Sequence, residues 1–254
     1  YMIDKIISFG DSFMYGSDLS DCDGSETSQF SQLTWPALCA KELGINYRSY
    51  SLGGKGNRFI AFTILKYAKK NALNVINWSW INRKEIFTVQ GDWPNSISIH
   101  LDNDESKLYY KHFQTDYNDQ LENLHIIHST LCYLKSKGFL FISTYLDNLL
   151  FTDIKPQVYF PVNQTLLRDK DKDIWHNKKD YAGGNTYARE LMGQIEQDMQ
   201  LFPNNQTFLE WSRSNGYPES KGWHPLEQAH QEAAKIWLPI YKEAINTYIT
   251  NLED

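Results

Sequence analysis

The chain has 254 residues, 41% of them hydrophobic and 22% charged, and a formal net charge of −6. That is enough length and apolar content to bury a large core, so one domain over residues 1–254 is expected and a disordered chain is excluded. No apolar run approaches the ~20 residues that span a bilayer, and there is no clustered Lys/Arg surface to neutralise a phosphate backbone, so neither membrane insertion nor nucleic-acid binding is expected.

The first segment, Tyr1-Met2-Ile3-Asp4-Lys5, enters an apolar run at once. It lacks the basic stretch, apolar core and cleavage site of a leader, which points to a cytoplasmic or virion-associated protein rather than a secreted one. Residues 5–9 read as a strand, followed directly by Phe9-Gly10-Asp11-Ser12. A serine hydroxyl is thereby placed at the carboxyl end of a first strand, where open α/β sheets build their sites. Further strands are expected at 47–52, 75–79 and 139–144, with a fifth at 207–209. Helices are expected at 34–43, 57–70, 119–136, 187–201 and 226–250. This alternation predicts a parallel sheet covered by helices on both faces. Two polar, aromatic-rich stretches, 83–117 and 147–185, fit the alternation poorly and read as long loop insertions above the sheet edge.

Near the other end stands Gly222-Trp223-His224-Pro225. Proline suits the first turn of a helix, because its missing N–H forfeits no intrahelical bond there, so His224 lies at the entrance of the last helix. His230, further along that helix, reads as structural. Serine at its free pKa is a poor nucleophile and needs a neighbouring base, for which His224 is the candidate. A tetrahedral oxyanion needs donors aimed at it. The turn Leu52-Gly53-Gly54-Lys55-Gly56-Asn57 offers backbone amides and a side-chain amide together.

These blocks resemble the SGNH (GDSL) hydrolase superfamily, whose members are esterases, lipases, thioesterases and carbohydrate O-deacetylases. The resemblance implies a flavodoxin-like three-layer α/β/α sandwich, with Ser12 as nucleophile and its own amide in the oxyanion hole. It also implies Gly54 as the oxyanion glycine of the second block. The family's third block, Gly-x-Asn-Asp, is absent as such; Val75 to Glu85 stands in its place, and either Asn82 or Asn57 is left to supply the side-chain amide. The last block, normally Asp-x-x-His, here reads Lys221-Gly222-Trp223-His224. Lysine in the acid position leaves three readings. Another carboxylate takes over, with Glu219 and Glu227 nearest in sequence; a Ser-His dyad operates; or catalysis is lost.

The expected activity is hydrolysis of a small acyl ester, acetyl foremost, on a carbohydrate. The alternative is a catalytically silent glycan-binding or structural module on the same fold. Trp80, Trp93, Trp175 and Trp223 fall in or beside loops at the active edge, where ring faces could stack on a sugar. No metal-ligand spacing, no phosphate loop and no C-x-x-C pair among Cys22, Cys39 and Cys132 calls for a cofactor or metal. Oligomeric state is not legible.

Overall fold

A computed structural model of the chain describes residues 2–22, 29–86, 95–97, 104–112, 114–154, 157–159, 178–180 and 186–253. The strands of the main sheet are β1 (Lys5–Phe9), β2 (Asn46–Ser49), β3 (Ala72–Trp78) and β6 (Phe141–Tyr145), all parallel, in the order β2-β1-β3-β6. Helices α1 (Ser12–Tyr15), α2 (Trp35–Leu43), α3 (Asn57–Tyr67), α5 (Asp116–Ser136), α6 (Thr186–Glu196), α7 (Phe208–Ser214) and α8 (Glu227–Glu253) surround it.

Side chains alternate along each strand, and the two resulting faces collect different partners. Ile7 and Phe9 of β1 join Ile76 and Trp78 of β3 in a core layer with Phe59, Ile60 and Ile64 of α3, Leu124, Ile127 and Leu131 of α5, and Leu191 and Ile195 of α6. Ile6, Leu73 and Val75 face the other way, onto Phe13 and Met14 of α1, Trp35 and Cys39 of α2, Phe208 and Trp211 of α7, and Trp237 and Tyr241 of α8. Every residue of β3 is buried, as expected of a strand with neighbours on both edges and helices on both faces. A fully buried phenylalanine such as Phe9 or Phe208 contributes about 1.5–3 kcal/mol relative to exposure. The α/β/α sandwich read from the sequence is the fold found.

One element differs. Residues 207–209 are not a strand: Thr207 caps α7, its hydroxyl accepting from the Glu210 amide while the Glu210 carboxylate accepts from the Thr207 amide. Thr-x-x-Glu ahead of an apolar run is a capping box, and it outweighs the β-branched and aromatic character of the segment. The free edge of β6 instead carries a one-residue parallel bridge, Ser143 to Met199, with the Gln200 amide donating to the Ser143 carbonyl at 2.8 Å. α5 also starts earlier than expected, because Thr115 caps it by accepting from the Asn118 amide.

The first insertion contains an antiparallel pair, β4 (Lys84–Ile86) with β5 (Asn95–Ile97), and helix α4 (Asp104–His112). The second contains a 3-10 turn at Asn148–Phe151 and the antiparallel pair β7 (Gln157–Tyr159) with β8 (Lys178–Asp180). Trp93 and Trp175 lie outside the described residues. No helix among the described residues is long and apolar enough to cross a membrane.

Candidate active site

The chain leaves β1 through Gly10 and turns at once into the four-residue helix α1, whose first residue is Ser12. Asp11 caps that helix, accepting from the Phe13 amide at 3.1 Å. Its other oxygen accepts from Ser79 Oγ at 3.0 Å and from the Arg83 guanidinium at 2.7 Å. Asp11 is fully buried and wholly engaged, so it fastens the serine turn to the segment after β3. The amides of Gly16 and Ser17 both donate to the Ser12 carbonyl, at 2.9 and 3.0 Å, which reverses the chain sharply behind the serine.

That reversal delivers Asp18, in a left-handed conformation (φ 70°), to the loop ahead of α8. The Asp18 carboxylate lies 2.7 Å from His224 Nδ1, across a sequence separation of 206. Ser220 Oγ donates to the same carboxylate oxygen at 2.6 Å and accepts from the His224 amide at 3.3 Å, fixing the pair from a third side. These bonds, that from His224 foremost, hold the Asp18 carboxyl below its ordinary pKa, so it is ionised where an imidazole titrates. Gly222 lies close beside them: a Cβ there would sit 3.0 Å from Asp18 Oδ2 and 3.2 Å from His224 Nδ1, so a side chain would press on the pair.

The residues singled out as nucleophile and base are linked through their neighbours in the chain and in space. The Phe13 ring, on the residue after Ser12, packs edge-on against the His224 ring with centroids 5.5 Å apart. Among the described contacts none is a direct hydrogen bond from Ser12 Oγ to His224; such bonds are often long without substrate and close when it binds.

The carboxylate at His224 Nδ1 belongs to Asp18, a residue that the sequence reading did not single out. Glu219 instead holds Arg213 through two bonds of 2.8 and 3.1 Å. Glu227 accepts from the Ser20 amide at 2.7 Å, which ties the segment carrying Asp18 to the first turn of α8. Lys221 is exposed.

The amide donors also sort themselves. Asn57 is fully buried; its Nδ2 donates to the Ser79 carbonyl at 3.1 Å and to Asn123 Oδ1 at 2.8 Å, and its Oδ1 accepts from the Ser79 amide at 2.6 Å. With both N–H groups engaged, it holds the turn rather than facing an open site. Asn82 accepts from the Tyr110 hydroxyl through its backbone carbonyl. Gly53 lies against the serine, its Cβ position 3.8 Å from Ser12 Cβ, whereas nothing stands within 4 Å of the corresponding position on Gly54. The turn itself is pinned by buried Glu85, which accepts from the amides of Gly56 at 2.5 Å and Phe59 at 3.2 Å at the start of α3. Burial holds the Glu85 carboxyl above its ordinary pKa.

A parallel sheet in the order β2-β1-β3-β6, a serine at the end of β1 and a histidine ahead of the last helix fall together. The chain is a three-layer α/β/α sandwich on a parallel sheet. No family model and no curated protein matches it. Among solved structures it is similar to a protein described as lipolytic and of the G-D-S-L family from Desulfitobacterium hafniense DCB-2, with 11% identity, a TM-score of 0.43, and coverage of 91% of this chain and 96% of that one. An acetyl xylan esterase from the rumen bacterium Butyrivibrio proteoclasticus matches with 12% identity and a TM-score of 0.47 over 97% of this chain and 65% of that one. Phospholipase A1 from Streptomyces albidoflavus NA297 matches with 11% identity and a TM-score of 0.36 over 95% and 99%. Fold does not fix function, and the substrate here must be argued from the site.

Proposed function

We propose that the protein is a serine esterase in which Ser12, His224 and Asp18 form the catalytic triad. The observation that carries this reading is the 2.7 Å contact between Asp18 and His224 Nδ1. An ionised carboxylate there keeps the Nδ1 proton on the ring, leaves Nε2 as the base, and stabilises the imidazolium that forms. Ser12 Oγ attacks the ester carbonyl carbon while its proton passes to His224 Nε2. The oxyanion is held by the Ser12 amide and the amides of the Gly53-Gly54 turn, with Asn82 as the side-chain donor. His224 then gives its proton to the leaving alkoxide, and water releases the acyl group by the reverse sequence.

The class of reaction follows from this machinery, and a small acyl group, acetyl foremost, on a carbohydrate is the substrate that the family resemblance suggests. A silent module was the reading invited by Lys221 in the acid position. A carboxylate at His224 from another part of the chain removes that reason. The test is hydrolysis of p-nitrophenyl acetate by wild type and Ser12→Ala. A fall of roughly 10³-fold or more in kcat/KM is expected; equal rates would eliminate Ser12 as nucleophile.

A further inference from the structure

The loop that presents His224 also presents an aromatic ring whose placement the triad does not explain. Residues 219–225 close into a narrow turn, with Glu219 bridged to Pro225 and the Ser220 amide donating to the His224 carbonyl at 2.9 Å. At its tip Trp223 adopts a left-handed backbone (φ 68°), which a bulky side chain occupies at a cost that glycine or asparagine would avoid. Its side chain is not tucked away in return: Trp223 is 67% exposed. Strain retained to hold a large apolar ring in water points to use of that ring.

The ring is also braced. The Arg213 guanidinium lies 5.2 Å from the Trp223 ring centroid, and Glu219 grips the same guanidinium through two bonds. Glu219, Arg213 and Trp223 therefore form a charge-balanced stack that leaves ring surface open to solvent. With the guanidinium already neutralised, the stack offers no net charge to an anion; what fits is a neutral, flat face of C–H or aryl groups.

Position decides which half of a substrate this is. Resting on the triad reading, His224 Nε2 must reach the leaving oxygen to protonate it, so the alcohol half of the ester lies along the histidine loop. The acyl half lies on the serine and Gly53-Gly54 side. We infer that Trp223 is a specificity residue for the alcohol half, stacking on a neutral ring such as the C–H face of a pyranose, with Arg213 and Glu219 as positioning residues behind it.

The test separates the two halves. kcat/KM is measured for acetyl esters whose alcohol is ethanol or a methyl glucopyranoside, and for ethyl esters of lengthening acyl chain, with wild type, Trp223→Asn and Trp223→Phe. Asparagine tolerates the left-handed backbone while removing the ring, so the loop survives the change. The glycoside-to-ethyl ratio is expected to fall roughly five- to tenfold in Trp223→Asn and to be largely kept in Trp223→Phe, with the acyl-length profile unmoved. An unchanged ratio, or a shifted acyl profile, would overturn the assignment. A second arm needs no turnover: calorimetric binding of the acetylated methyl glucopyranoside to Ser12→Ala should weaken by a similar factor when Trp223→Asn is added. Failure of all ester hydrolysis with this binding loss present would refute the triad and leave the stack standing; hydrolysis without any binding difference would do the reverse.

Discussion

At the scale of single residues, the account turns on Asp18. Its carboxylate is nearly half-exposed, so its field at His224 is partly screened, yet its bond to Nδ1 still selects the tautomer that leaves Nε2 free to accept a proton. Asp18→Asn keeps the size and removes the charge. It is expected to lower kcat/KM on p-nitrophenyl acetate by about 10²- to 10⁴-fold, and partial screening favours the lower end. Lys221→Asp, which restores the family's pattern, is expected to bring no more than about a threefold gain, because Nδ1 is already occupied. Rates that ignore Asp18→Asn, or rise sharply with Lys221→Asp, would mean that the acid has been misplaced. Asp18 was invisible in the sequence for a physical reason. Its partner lies 206 residues away, and the contact depends on a left-handed turn behind a one-turn helix, which leaves no periodic signal. By contrast, Ser12 and His224 stand at element boundaries, one marked by a strand running into Gly-Asp-Ser and the other by a proline just ahead of a helix, although Pro225 sits in a bridge to Glu219 and the helix begins only at Glu227 rather than with the proline in its first turn.

At the scale of elements, the histidine loop is held by the helices beneath it. His230 on α8 is fully buried: its Nδ1 accepts from the Trp35 amide of α2 at 3.3 Å, its ring stacks on Trp35 at 5.6 Å, and Phe208 packs at 4.9 Å. With Nδ1 accepting, the proton sits on Nε2, where the Pro225 carbonyl can receive it and anchor the residue next to His224. Burial pushes the His230 pKa from 6.5 down to about 3, against the weaker opposing pull of Glu227. The unfolded chain therefore binds this proton below about pH 6.5 while the folded chain refuses it until about pH 3, so the contribution to stability is full above that window and falls as pH drops through it. The loss approaches roughly 5 kcal/mol at most by pH 3. Urea midpoints across this range should show wild type losing stability relative to His230→Gln as pH falls. A pH-independent difference would contradict the assignment. Other elements were less readable: 207–209 carries strand-like residues, but a local cap won, and Asn57 carries an amide that three buried bonds had already claimed.

At the scale of the whole molecule, the central pair β1 and β3 accounts for both the core and the site. Each has buried side chains on two faces, which makes the three layers, and each ends at the same edge, where Asp11 of one turn meets Ser79 and Arg83 of the other. The layered fold was legible because alternating strand and helix patterns leave few ways to bury both faces of a parallel sheet. The candidate site could be proposed from its two ends but not its closure, since closure comes from loops crossing between layers: Asp18 to His224, Ser20 to Glu227 and Ser220 to Asp18. If these contacts activate one hydroxyl, a single serine should stand apart in reactivity. The most direct measurement is treatment with a fluorophosphonate, in which a serine oxygen displaces fluoride, followed by peptide mass spectrometry. The account predicts one adduct, on Ser12, formed far more slowly in His224→Ala and Asp18→Asn; an intact protein without adduct, or labelling of another serine while Ser12 stays free, would contradict it.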